Sequence, residues 1–86
     1  MLNENTKNRL TDIYNHFGRE NQTEKLFEEV FEMLIETPDS HNHFTEMVDV
    51  WIVLTQLLLS HEDKALEEIE HKISRTEKRI KENYYL

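Results

Sequence analysis

Apolar residues recur at helical spacing along almost the whole chain, and the polar interruptions divide it into four stretches. The first predicts a helix over 4–17, with Leu10, Ile13, Tyr14 and Phe17 on one face and Gly18 as a left-handed stop. The second predicts a helix over 21–37. Asn21 is its expected N-cap, with Glu24 at the capping-box position. Leu26, Phe27, Val30, Phe31, Leu34 and Ile35 form its broad apolar face. At ~100° per residue, Glu28, Glu29, Glu32 and Glu36 share an arc on the other side. Pro38 ends this helix, and TPDSHNH reads as a short loop.

The third helix is expected over 43–59. Ten of the thirteen residues 47–59 are apolar and they point all round, as in a helix buried within a core or shared with a second subunit. The fourth is expected over 61–82, capped by Ser60 with Asp63 in its first turn. Leu66, Ile69, Ile73 and Ile80 make its seam, with Thr76 in the remaining slot, and Lys72, Arg75 and Arg79 lie on a neighbouring stripe. With one Gly and one Pro, the chain predicts an all-α fold: one four-helix domain over 1–86. A chain of 86 residues is too small to enclose the third helix, so association through the apolar helices is expected, as a homodimer or tetramer.

Composition narrows the class. The formal net charge of −8 argues against DNA or RNA polymers as partners. The absence of Cys removes disulfides and thiolate metal sites. The polar start MLNENTKNRL is unlike a secretory leader, and the longest apolar run is too short for a membrane span of ~20 residues. These features predict a soluble cytoplasmic protein.

Glu46 and Asp49 stand out because they open the apolar third helix. Residues three apart on a helix reach toward one point, and buried like charges are costly unless a metal binds them. Glu29 and Glu32, with Glu28 alongside, repeat the device on the second helix. Antiparallel packing of the two helices would gather these acids around one pocket. Hard oxygen ligands suit Mg²⁺ or Mn²⁺, so the acids suggest metal-assisted phosphate chemistry. Other readings stand beside this one. Glu28, Glu29 and Glu32 alone have the character of a solvated outer face, and Glu46 and Asp49 also suit the first turn of a helix. His41 and His43 sit in the loop without a third positioned ligand, which is not enough for a zinc site.

The run GRENQTEKLFEEVFEMLIE followed by EMVDVWIVLTQLL resembles the MazG-like all-α nucleoside triphosphate pyrophosphohydrolases. The signature EExxE, a spacer, then ExxD is met by Glu28-Glu29-Val30-Phe31-Glu32, thirteen residues, and Glu46-Met47-Val48-Asp49. Gln22, Lys25 and Leu26 match a Q-x-x-K-L lead-in, and the likeness spans roughly residues 14–82. The resemblance implies that Glu29, Glu32, Glu46 and Asp49 ligate Mg²⁺. It also implies that Glu28 and Glu29 are the catalytic acids, with Glu28 orienting or activating a water or holding an additional metal. The implied reaction converts a nucleoside triphosphate and water to the monophosphate and pyrophosphate, in dimers or tetramers whose subunits close the pocket together.

Such chemistry needs cations for the phosphates the metal leaves uncovered. Lys25 lies one turn before Glu29, and Lys72, Arg75 and Arg79 are the candidates on the fourth helix, where K-x-x-R also looks family-like. Their other reading is surface charge. Trp51 is the candidate for stacking on a base, although an aromatic in an apolar stripe also suits a core. Two further functions fit the same scaffold: a non-catalytic helical interaction module and a nucleotide sensor.

Overall fold

The computed structural model describes residues 2–82. Residues 83–86, which include the two terminal tyrosines, lie outside that range. The described residues form four α-helices and no strand: α1 (Glu4–Phe17), α2 (Arg19–Ile35), α3 (His41–Leu59) and α4 (Glu62–Lys81). The all-α class and the helix order agree with the apolar pattern; three of the helix starts do not.

Asn3 caps α1 by accepting from the Thr6 amide at 2.9 Å. Gly18 closes the helix at φ 87°, and its N–H reaches the Tyr14 carbonyl at 2.8 Å. That positive φ suits a residue without a Cβ, and it lets the chain turn directly into α2. The second helix therefore starts at Arg19, two residues before the expected point. Asn21 is not its cap: its Nδ2 donates to the Phe17 carbonyl at 2.7 Å. Ser40 caps α3 through the His43 amide at 3.0 Å, which brings His41 and His43 into the first turn of that helix rather than a loop. Ser60 Oγ donates to the Leu57 carbonyl at 2.6 Å, and α4 starts after His61 without a side-chain cap.

The most extensive contact joins α2 to α3. The five-residue link 36–40 makes them an antiparallel hairpin, with Gln22 beside Gln56 near one end and Glu29 beside Asp49 nearer the other. α1 packs across this hairpin. α4 meets only the α3 side of the bundle and ties to α1 through an ion pair between Lys7 and Glu62. The radius of gyration, 15.6 Å, exceeds the ~12 Å of a compact chain of this length, as expected of a helix projecting from a three-helix body.

α2 packs in an unexpected orientation. Its buried residues are Gln22 and Glu29, while Phe27 and Phe31 are 75% and 65% exposed. Leu34 and Ile35 are exposed as well. The stripe turned toward α3 runs through Gln22, Leu26, Glu29, Val30 and Met33, each buried or half-buried, at helical spacing. Among the described residues only Leu10 and Val53 are buried hydrophobics. α3 buries Val53, Thr55 and Gln56, but Met47, Val48, Leu54 and Leu58 remain exposed. The third helix is thus not enclosed on all sides within one chain.

Candidate metal centre

Three carboxylates converge across the α2–α3 hairpin. Glu29, Glu46 and Asp49 each bring an oxygen into a group whose members lie within 4.8 Å of one another. Glu46 and Asp49 are three apart and share a face of α3; Glu29 comes from the facing side of α2. Glu29 is only 5% exposed, Glu46 is half-buried and Asp49 is exposed, so the group runs from the interior to solvent.

The group is short of partners. Glu29 Oε2 and Glu46 Oε2 are both buried without a hydrogen bond. One oxygen of Glu29 is neutralised by Lys25 Nζ at 2.8 Å, one helical turn earlier. Glu29 in turn raises the Lys25 ammonium above its ordinary value by hydrogen bonding and attraction, with Glu28 and Glu32 adding to the attraction. The Glu46 carboxyl is raised above the usual carboxylate range. Loss of water around it is the main cause, followed by the charge of Glu32 and hydrogen bonding with it, then by the charges of Asp49 and Glu29. Glu32 therefore stands against the group on its exposed side, beside Glu46, as the i, i+3 spacing from Glu29 requires.

A cleft of about 730 Å³ opens from these acids between α1, α2 and α3. Asp49, Glu29, Glu28 and Lys25 line one end. Ile52 and Val53 line the middle of the α3 wall, and Gln22 and Gln56 meet beyond them. Ile13 and Phe17 supply the α1 side. Phe17 is exposed and meets the edge of the His16 ring at 4.7 Å between centroids.

The structure gathers Glu28, Glu29, Glu32, Glu46, Asp49 and Lys25 in one region. It does not bring Lys72, Arg75 or Arg79 to this cleft: they lie along α4, and Lys72 faces Glu68 at 3.7 Å. Trp51 also lies elsewhere. It lines a separate groove of about 360 Å³ with Leu58, Leu66 and Ile69, on the opposite side of α3 from Asp49, Ile52 and Gln56. Sequence reasoning missed Gln56. Its signal was present: it is one of two polar residues in the apolar run 50–59, and it lies seven residues after Asp49, hence on the same face.

No helix among the described residues is long and apolar enough to cross a membrane. No family model, curated protein or solved structure matches the chain.

Proposed function

We propose that the chain is a divalent-cation-dependent nucleoside triphosphate pyrophosphohydrolase, the activity implied by its MazG-like motifs. The observation that carries this reading is the convergence of Glu29, Glu46 and Asp49, two of them with a buried, unpartnered oxygen. Such atoms are costly in a folded chain unless something coordinates them. An all-oxygen, all-carboxylate donor set fits Mg²⁺ or Mn²⁺ and does not favour softer metals. The ligands are then Glu29, Glu46 and Asp49, with Glu32 completing the set from its place beside Glu46.

A cation bound there supplies Lewis acidity and lowers the pKa of water. The protein groups do the rest. Glu28 is exposed at the cleft wall beside Glu29 and is placed to accept a proton from the attacking water. Lys25 is half-exposed at the same end, so it can exchange Glu29 for a phosphate oxygen as the triphosphate enters. Ile52 and Val53 carry the apolar wall past the acids and exclude water there. Water attacks the α phosphorus, the bond to the bridging α–β oxygen breaks, and pyrophosphate leaves.

The working form is a homo-oligomer. Its support is the exposed apolar face of α2 and the exposed Leu66, Ile69, Ile73 and Ile80 of α4. These same surfaces favour the second reading, a non-catalytic interaction module. A nucleotide sensor is the intermediate case, binding without turnover. Pyrophosphate release across a panel of ribo- and deoxyribonucleoside triphosphates, with Mg²⁺ and with EDTA, separates them. Metal-dependent release from at least one nucleotide is expected. Absence of turnover across the panel would exclude the enzyme, and nucleotide-induced thermal stabilisation without product would leave the sensor.

A further inference from the structure

We infer that α4 is an association helix that pairs, parallel and in register, with α4 of a second copy of this chain; this specifies the homo-oligomer of the reading above and needs neither metal nor nucleotide. α4 has 20 residues, ~30 Å of helix, and none of them is buried. Leu66, Ile69, Ile73, Thr76 and Ile80 follow one another at steps of three, four, three and four, the spacing of a and d positions in a coiled coil. The four apolar members are 46–62% exposed. Leu66 and Ile69 edge the groove beside Trp51 and still face solvent, while Ile73 and Ile80 lie further along the helix, past that groove. Within one chain the seam is open along its length.

The charges beside the seam say what covers it. With the seam at a and d, the e positions are Asp63, Glu70 and Glu77, and the g positions are Ala65, Lys72 and Arg79. One flank is wholly acidic; the other carries two cations and an alanine. Such a helix complements a copy of itself in one orientation. In a parallel pair each g residue faces the e residue five positions on in the other copy. Lys72 then meets Glu77 of the second copy, twice by symmetry. In an antiparallel pair g faces g and e faces e. With Ile69 opposite Ile80 of the second copy, Lys72 would oppose Arg79 and Glu70 would oppose Glu77, so both flanks would repel. Within its own chain Lys72 lies 3.7 Å from Glu68, with both side chains more than half exposed, a contact weak enough to yield to a cross-chain carboxylate.

Two heptads hold copies together weakly, so the test captures the pair covalently in the full chain. The chain has no Cys, so Ile80→Cys introduces a single thiol. Parallel pairing sets residue 80 of one copy opposite residue 80 of the other, within the Cα separation of ~4.4–6.8 Å that a disulfide spans. The antiparallel register would hold them ~16 Å apart along the axis. In a glutathione redox buffer the disulfide-linked dimer is expected. Adding Lys72→Glu or Glu77→Lys turns both cross-chain attractions into repulsions and should lower the equilibrium yield about tenfold. Mixing these two variants in equal amounts restores opposite charges at both contacts only across chains, and should restore the linked dimer. Helicity by circular dichroism checks each variant. Should the Ile80 variant fail to fold, Ile69→Cys carries the same test in the same geometry. No linked dimer, a yield indifferent to the charge reversals, or no recovery on mixing would each overturn the inference. Sedimentation of the unaltered chain then separates the two readings: an oligomer leaves association through α2 standing, and a monomer overturns the homo-oligomer as well.

Discussion

Glu29 on α2 and Glu46 on α3 bring carboxylate oxygens within 4.8 Å of each other, and each also holds its Oε2 buried without a hydrogen-bond partner. A stable hairpin would ordinarily place a hydrophobic pair at such a position. Instead α2 turns Phe27 and Phe31 outward and Glu29 inward. The orientation of α2 thus buries the acid and leaves the two largest apolar side chains of the helix on the surface of the single chain.

The raised Glu46 carboxyl makes the metal-free fold sensitive to pH. The native state holds this proton to higher pH than the unfolded chain, whose value lies near 4.5. The contribution to stability is therefore full below that value and is lost as pH rises through the folded-state value. In EDTA, melting curves of the unaltered protein and of Glu46→Gln should diverge in favour of the variant as pH rises above the unfolded-state value of 4.5. Added Mg²⁺ should reverse the order at neutral pH. A difference in melting temperature that stays constant with pH would rule out this origin.

Lys25 has two competing attractions, Glu29 and an incoming phosphate. As a half-exposed i, i+4 pair it contributes little to folding, about 0.3–0.5 kcal/mol. Lys25→Met should leave the melting temperature nearly unchanged. The variant should bind Mg²⁺ somewhat more tightly, because one positive charge beside Glu29 is gone, and bind the triphosphate more weakly. Weakening of both ligands together would mean that Lys25 positions Glu29 rather than contacting phosphate.

The exposed face of α2 predicts self-association. Burying a Phe side chain contributes about 1.5–3 kcal/mol. Phe27→Gln with Phe31→Gln should therefore loosen a dimer by ~100-fold or more. Sedimentation at micromolar concentration should show a dimer or tetramer for the unaltered chain and smaller species for the variant. A monomer in the first experiment would remove the oligomer from the account.

Helix number and order were legible from spacing, because Leu10, Ile13 and Phe17 or Leu66, Ile69 and Ile73 repeat at unambiguous intervals. Helix starts were less so. Asn21 and Ser60 are good capping residue types, but Gly18 and His61 occupy the caps: α2 starts before Asn21, whose amide donates back to the Phe17 carbonyl, and Ser60 ends α3, its hydroxyl donating to the Leu57 carbonyl. The acid pairs were legible as i, i+3 motifs, and their convergence followed once α2 and α3 were read as a hairpin. Which face of α2 turns inward was not legible. Hydrophobicity favours Phe27 and Phe31; the i, i+4 pair Lys25–Glu29 is local, but nothing in α2 itself records that Gln22 finds its partner in Gln56 of α3. The places of Trp51 and of the α4 cations depend on how α4 projects from the body, a tertiary matter that periodicity does not encode.

Equilibrium Mn²⁺ binding, followed by the loss of the free-ion electron paramagnetic signal, tests the central claim most directly. One or more ions per chain should bind to the unaltered protein, with Mg²⁺ competing. Glu29→Gln, Glu46→Gln and Asp49→Asn should each weaken binding by at least ~10-fold while helicity is kept. Mn²⁺ affinity that is unmeasurable at millimolar ion, or equal in all three variants and the parent, would contradict a metal centre at the α2–α3 hairpin.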